Sequence, residues 1–220
     1  MITRKPKQFF TQSSQSGFTI AESLVAIVVV TVLMTAIAPV IVLSVATRVQ
    51  ARRVELATQA ARTYIDGIAS GVITPPSATV VIAPNQPFLA SVNVPTSSGS
   101  LTCTTSTSGY PYCSDTSTLS LYCIDLDGNG CSNTSSRDLV IQAFRSVTST
   151  STDPQKGYRL GLRVYRVDAF KDTTTLSSGK QQATFTAGLG NRKVPLVEMT
   201  TEIITEKTKF QDFCDRFGCG

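Results

Sequence analysis

Hydrophobic and polar positions divide the chain into three regimes. Between Phe18 and Thr47 the only charged residue is Glu22, and the next is Arg48. As a helix this run of 30 residues would extend about 45 Å at about 1.5 Å per residue. The hydrocarbon core of a bilayer needs only about 30 Å. From Arg48 to about Ser70 the pattern turns amphipathic: Val54, Ala57, Ala61, Tyr64, Ile65 and Ile68 recur at spacings of three and four, while Arg52, Arg53, Glu55, Gln59 and Arg62 fall largely elsewhere. The two regimes together predict one long helix, apolar all round in its first half and packed on a globular head by its second. Gly71 and the Pro75-Pro76 pair end it.

The third regime begins after Pro76. Ser and Thr dominate 95–120, 146–152 and 172–178, which read as solvated loops, with O-glycosylation as the rival reading. Between them lie strand-like runs at 79–83, 88–94, 119–125, 138–144, 158–167 and 194–204. In the fifth, Leu160, Leu162 and Val164 alternate with Arg159, Gly161 and Arg163, the pattern of a half-buried strand. No helical pattern separates the strands, which argues against a parallel sheet. The expected fold class is α+β, with a long N-terminal helix packed on a small antiparallel head over residues 75–220.

Charge and composition narrow the function. Net charge is +5, but Arg4, Lys5 and Lys7 stand in a leader of 17 residues without an acid. Beyond Gly17 the balance is 17 basic to 15 acidic residues. No basic patch with interleaved aromatics is present, so nucleic acid is not an expected partner. The chain has no histidine, which removes the commonest general base and rules out a Ser-His-Asp or Cys-His site within it. No enzyme is expected.

A secretory signal would place a small-residue cleavage site behind an apolar core of about 7–15 residues. Here the cleavable-looking residues, ending in Gly17, precede a much longer run, and the basic leader favours the cytoplasmic side. The junction "GFTIAE", with Gly17, Phe18 and Glu22, resembles the class III leader junction of type IV prepilins and pseudopilins. The resemblance implies removal of residues 1–17 by a membrane-embedded prepilin peptidase, N-methylation of the new terminal Phe18, and a membrane or filament-core helix over 18–47 continued by an amphipathic half over 48–74. Glu22 would stand fifth in the mature chain and pair with the Phe18 amine of a neighbouring subunit. Pro39 falls where the family often carries a proline; it reads as a kink or as a hinge that lets the helix stretch.

The implied partners are the prepilin peptidase, other pilin or pseudopilin subunits, an inner-membrane assembly platform and the membrane itself. The implied location is single-pass in the inner membrane, N-terminus cytoplasmic and head outside, before entry into a pilus or pseudopilus. Over residues 17–75 the chain is most similar to pseudopilins of the cyanobacterial hormogonium polysaccharide secretion system. A minor type IV pilin, a type II secretion pseudopilin and a tip adhesin are the alternatives.

Two features of the head bear on chemistry. Six cysteines, at 103, 113, 123, 131, 214 and 219, suggest up to three disulfides in an exported region, with fifteen connectivities. The simplest joins Cys123 to Cys131 and Cys214 to Cys219, leaving Cys103 with Cys113. The stretch "DLDGNGCSN" places Asp125, Asp127 and Asn129 at alternate positions before Gly130, as in the front half of a calcium loop. The twelfth position is Ser136 where that loop has a bidentate Glu, so Asp138 or backbone carbonyls would have to substitute. A metal-free hairpin turn stapled by Cys123 and Cys131 is the competing reading.

Overall fold

A computed structural model describes Gly17 and residues 19–81, 88–97, 99–105, 111–114, 120–147, 151–183 and 190–217. Its order is α1 (Ile20–Ala69), β1 (Thr79–Val81), β2 (Thr102–Thr105), β3 (Pro111–Ser114), β4 (Ser120–Ile124), β5 (Leu139–Val147), β6 (Tyr158–Arg166), β7 (Val197–Ile203) and α2 (Phe210–Phe217). Contacts divide the chain into two compact units, Met1–Ser44 and Val45–Gly220.

In the first unit, the α1 residues from Ile20 to Ser44 are exposed. Their threonine hydroxyls are satisfied locally: Thr31 Oγ1 donates to the Ile27 carbonyl at 2.7 Å and Thr35 Oγ1 to the Val32 carbonyl at 2.9 Å. A surface of this composition, left uncovered, is the signature of a segment meant for hydrocarbon or for other helices. This stretch of α1 is long and apolar enough to cross a membrane.

The second unit is the head. Here α1 buries Ala57, Ala60, Ala61, Tyr64 and Ile68, with Val54 and Ile65 packed at the margin. The small Ala residues let the helix axis approach the sheet, and the Tyr64 ring packs tilted at 53° against Tyr122, with centroids 4.9 Å apart. The helix ends just before Gly71, whose φ of 75° breaks the helical path.

The strands form one seven-stranded sheet in the order β2-β3-β4-β5-β6-β7, antiparallel throughout this path. β1 departs from the antiparallel expectation: it pairs in parallel with the far end of β5, Thr79 opposite Arg145 and Val81 opposite Val147. The connection from α1 delivers β1 alongside the part of β5 that lies beyond its pairing with β4, which covers only Leu139–Gln142.

Three expectations need correction. Residues 88–94 are not a strand: Leu89–Ser91 form a single 3-10 turn, and the segment covers the sheet face opposite α1. β6 is consequently buried on both faces. Arg163 is fully buried, and it is tolerated there because its guanidinium is satisfied. Its Nε donates to Glu198 Oε1 at 3.0 Å, its Nη1 to Gln142 Oε1 and to the Val92 carbonyl at 3.0 Å each, and its Nη2 to the Leu89 carbonyl. Gly161 is required beside it, since a Cβ there would lie 2.4 Å from the Phe144 ring. Finally, β2, β3 and α2 occupy stretches that the sequence pattern left as loop or tail.

Candidate functional site

The N-terminal junction is built from very few contacts. Thr19 Oγ1 accepts the backbone N–H of Glu22 at 3.3 Å, and Ser23 Oγ donates to the Ile20 carbonyl at 2.8 Å. Thr19 thus caps the helix, and Glu22 falls in its first turn, where the exposed N–H groups and the positive end of the helix dipole favour a carboxylate. Gly17 is exposed, and a Cβ on it would meet nothing within 4 Å. Among the described residues, no packing requires a glycine there. Phe18 lies outside the described residues. Pro39 sits inside α1, which continues helical on both sides of it.

In the head, Cys103 and Cys113 face each other across β2 and β3 and are disulfide-bonded, with Cα atoms 4.0 Å apart. Cys123, in β4, is bonded to Cys131 in the following loop, with Cα atoms 6.4 Å apart. Cys214, in α2, is disulfide-bonded, and Cys219 lies outside the described residues. The sulfurs of Cys113, Cys123 and Cys131 come close together, but all three are already spent in disulfides, so they offer no thiolates to a metal.

The loop from Asp125 to Asp138 is a second constellation. The Asp125 carboxylate accepts the backbone N–H groups of Asp127 at 3.1 Å, Gly128 at 2.7 Å and Gly130 at 2.8 Å. These bonds, led by that from Gly130, hold its carboxyl below the ordinary carboxylate range. Gly128 and Gly130, with φ of 77° and 83°, turn the backbone inward around it. Asp127 Oδ1 accepts the Asn129 N–H at 3.1 Å and its Oδ2 the Ser135 hydroxyl at 2.8 Å. Asn129 itself is exposed. Asp138, immediately before β5, is fully buried, and its Oδ1 accepts the Leu126 N–H at 3.0 Å. Carboxylate oxygens of Asp125, Asp127 and Asp138 lie within 4.8 Å of one another. Of these, Asp138 was expected only as a substitute ligand for the missing Glu of the loop.

A family model described as the prokaryotic N-terminal methylation motif matches residues 12–38. No curated protein matches the chain, and no solved structure does. The methylation motif, the apolar helix and the antiparallel sheet together support a type IV pilin-like, prepilin-type protein. The motif indicates a pilin or pseudopilin processed by prepilin peptidase and assembled with other pilin subunits, and it points to a structural rather than enzymatic role. With α1, it also fits anchoring in a membrane.

Proposed function

We propose that the chain is a pseudopilin cut between Gly17 and Phe18, N-methylated at Phe18, and assembled into a filament that supports export of polysaccharide linked to gliding motility. The observation that carries the filament part is Glu22, a lone carboxylate in the first turn of a helix otherwise uncharged as far as Arg48. Alone in hydrocarbon a carboxylate is costly. Cleavage creates an amine four residues before it, and pairing with the amine of a neighbour offsets that cost at low dielectric. Assembly therefore waits for processing, since the uncut precursor has no amine to offer. The head stays outside, single-pass from the inner membrane, and the assembly platform extracts the helix into the filament.

The polysaccharide assignment rests on the similarity of residues 17–75 to hormogonium polysaccharide secretion pseudopilins. Its test is a deletion strain complemented with wild type or with Gly17→Val. Loss of extracellular polysaccharide and of gliding, restored only by the wild-type gene, is the expected result. Normal polysaccharide with a missing secreted protein would instead favour a type II secretion pseudopilin.

A further inference from the structure

We infer that Asp125, Asp127 and Asp138 form a calcium site that fastens the β4–β5 loop to its own buried end, immediately before β5. The observation that goes beyond an acidic loop is Asp138. It is fully buried, its Oδ1 is used by the Leu126 N–H, and its Oδ2 has no hydrogen-bond partner. That oxygen belongs to a carboxylate grouped with those of Asp127 and Asp125. Among the described residues, no ion pair reaches any of the three. A buried carboxylate beside two others, with one oxygen unmatched, is costly unless a cation compensates it.

The chemistry selects the ion. All three donors are hard carboxylate oxygens, the donor set of calcium and magnesium and not of soft metals. Their separations fall within 4.8 Å. Such a set can meet on one cation; calcium, at about 2.3–2.6 Å in a flexible shell, accepts an irregular carboxylate set, whereas magnesium demands near-ideal octahedral geometry at about 2.0–2.1 Å. Asp125 is committed to shaping the loop through three backbone N–H groups. Asp127 and Asp138 are therefore the principal ligands, with Asp125 closing the site at its mouth. The Cys123–Cys131 disulfide closes the segment that carries Asp125 and Asp127, so these two are held near one another before any ion arrives. The ion would tie a surface loop to its own buried end, and the inference stands or falls independently of the filament role.

The test uses the full mature chain, purified in detergent with its disulfides intact, and calcium, magnesium or chelator as the only variable. At 1 mM calcium its thermal midpoint should rise by about 4 °C or more over chelator, by binding linkage, with magnesium giving much less. Asp138→Asn keeps the acceptor for the Leu126 N–H but removes the buried charge. In chelator it should melt no lower than wild type; in calcium it should show no rise. This reversal distinguishes a lost ligand from a damaged fold. Asp127→Asn should lower calcium affinity at least tenfold by isothermal titration. Equal wild-type midpoints in calcium and chelator, or an Asp138→Asn protein that keeps the calcium shift, would overturn the site.

Discussion

The backbone N–H of Glu22 points at Thr19 Oγ1, 3.3 Å away. Thr19 and Glu22 stand in the Thr-x-x-Glu spacing of a capping box, so Glu22 has a place in its own helix besides the pairing proposed for it. The two roles separate by chemistry. A capping box accepts Gln in place of Glu, whereas an ion pair with an amine does not. Glu22→Gln should therefore be inserted, cleaved and membrane-resident like wild type, yet scarce in sheared filaments by immunoblot. Removing one member of a buried pair costs of order 3–5 kcal/mol, enough to reduce incorporation by orders of magnitude. Filaments with a wild-type share of Glu22→Gln subunits would show that charge is not what recruits them.

Arg163 and Glu198 form the head's buried ion pair, with side chains 0% and 5% exposed. Glu198 also accepts the Gly179 N–H at 3.1 Å, so the pair ties together β6, β7, the 88–94 cover and the 176–182 loop. Arg163→Ala strands Glu198 without its cation and should cost about 3–5 kcal/mol, read as a lowered urea midpoint of the purified protein. The double change Arg163→Met with Glu198→Gln should recover part of this loss. If it is no better than the single change, the cost lies in lost packing and not in the orphaned charge.

Asp172 gives a pH dependence. The hydrogen bond from Lys193, 2.6 Å from its Oδ1, is the chief reason its carboxyl titrates well below the ordinary range, with the Thr174 N–H adding to it. A depressed folded-state pKa contributes stability that is full above the unfolded value of about 4 and is lost as pH falls through the folded value. Asp172→Asn should lower the thermal midpoint at pH 7, with a gap from wild type that narrows below pH 4. A gap unchanged with pH would mean that the carboxylate contributes shape alone.

The Cys123–Cys131 bond closes a short loop, with a sequence separation of 8. Its removal by Cys→Ala at both positions should cost about 2–3 kcal/mol by loop-closure entropy. Non-reducing peptide mapping of protein from cells should recover the Cys103–Cys113 and Cys123–Cys131 peptides as linked species. Free thiols at these four positions would contradict both the pairing and the oxidising location of the head.

The long helix was legible because its periodicities are long and strong: an unbroken apolar run, then Ala57, Ala61, Tyr64 and Ile68 on one face. The central strands β5 and β6 were legible for the same reason. What escaped was tertiary. Arg163 reads as an exposed residue until the 88–94 segment is laid over it, and the sequence gives no local sign of that covering. β2 and β3 are short and, Tyr112 apart, carry Pro, Ser, Thr and Cys, so they show no apolar alternation; a cross-strand disulfide joins them. α2 is short, and its apolar side chains Phe210, Phe213 and Phe217 remain partly exposed, so the pattern had little burial to signal. At the candidate site, Asp125 and Asp127 were visible through the spacing of the loop. Asp138 belongs to it because strand pairing brings the start of β5 back beneath that loop.

The central claim is that this chain is made as a prepilin and works only after maturation. Intact-mass measurement of the protein extracted from its native membrane tests it most directly. The account predicts a chain that begins at Phe18, one methyl group heavier than the unmodified sequence, with Gly17→Val accumulating as precursor. A mature protein that still carries Arg4, Lys5 and Lys7, or one cut beyond the apolar run after Thr47, would contradict it.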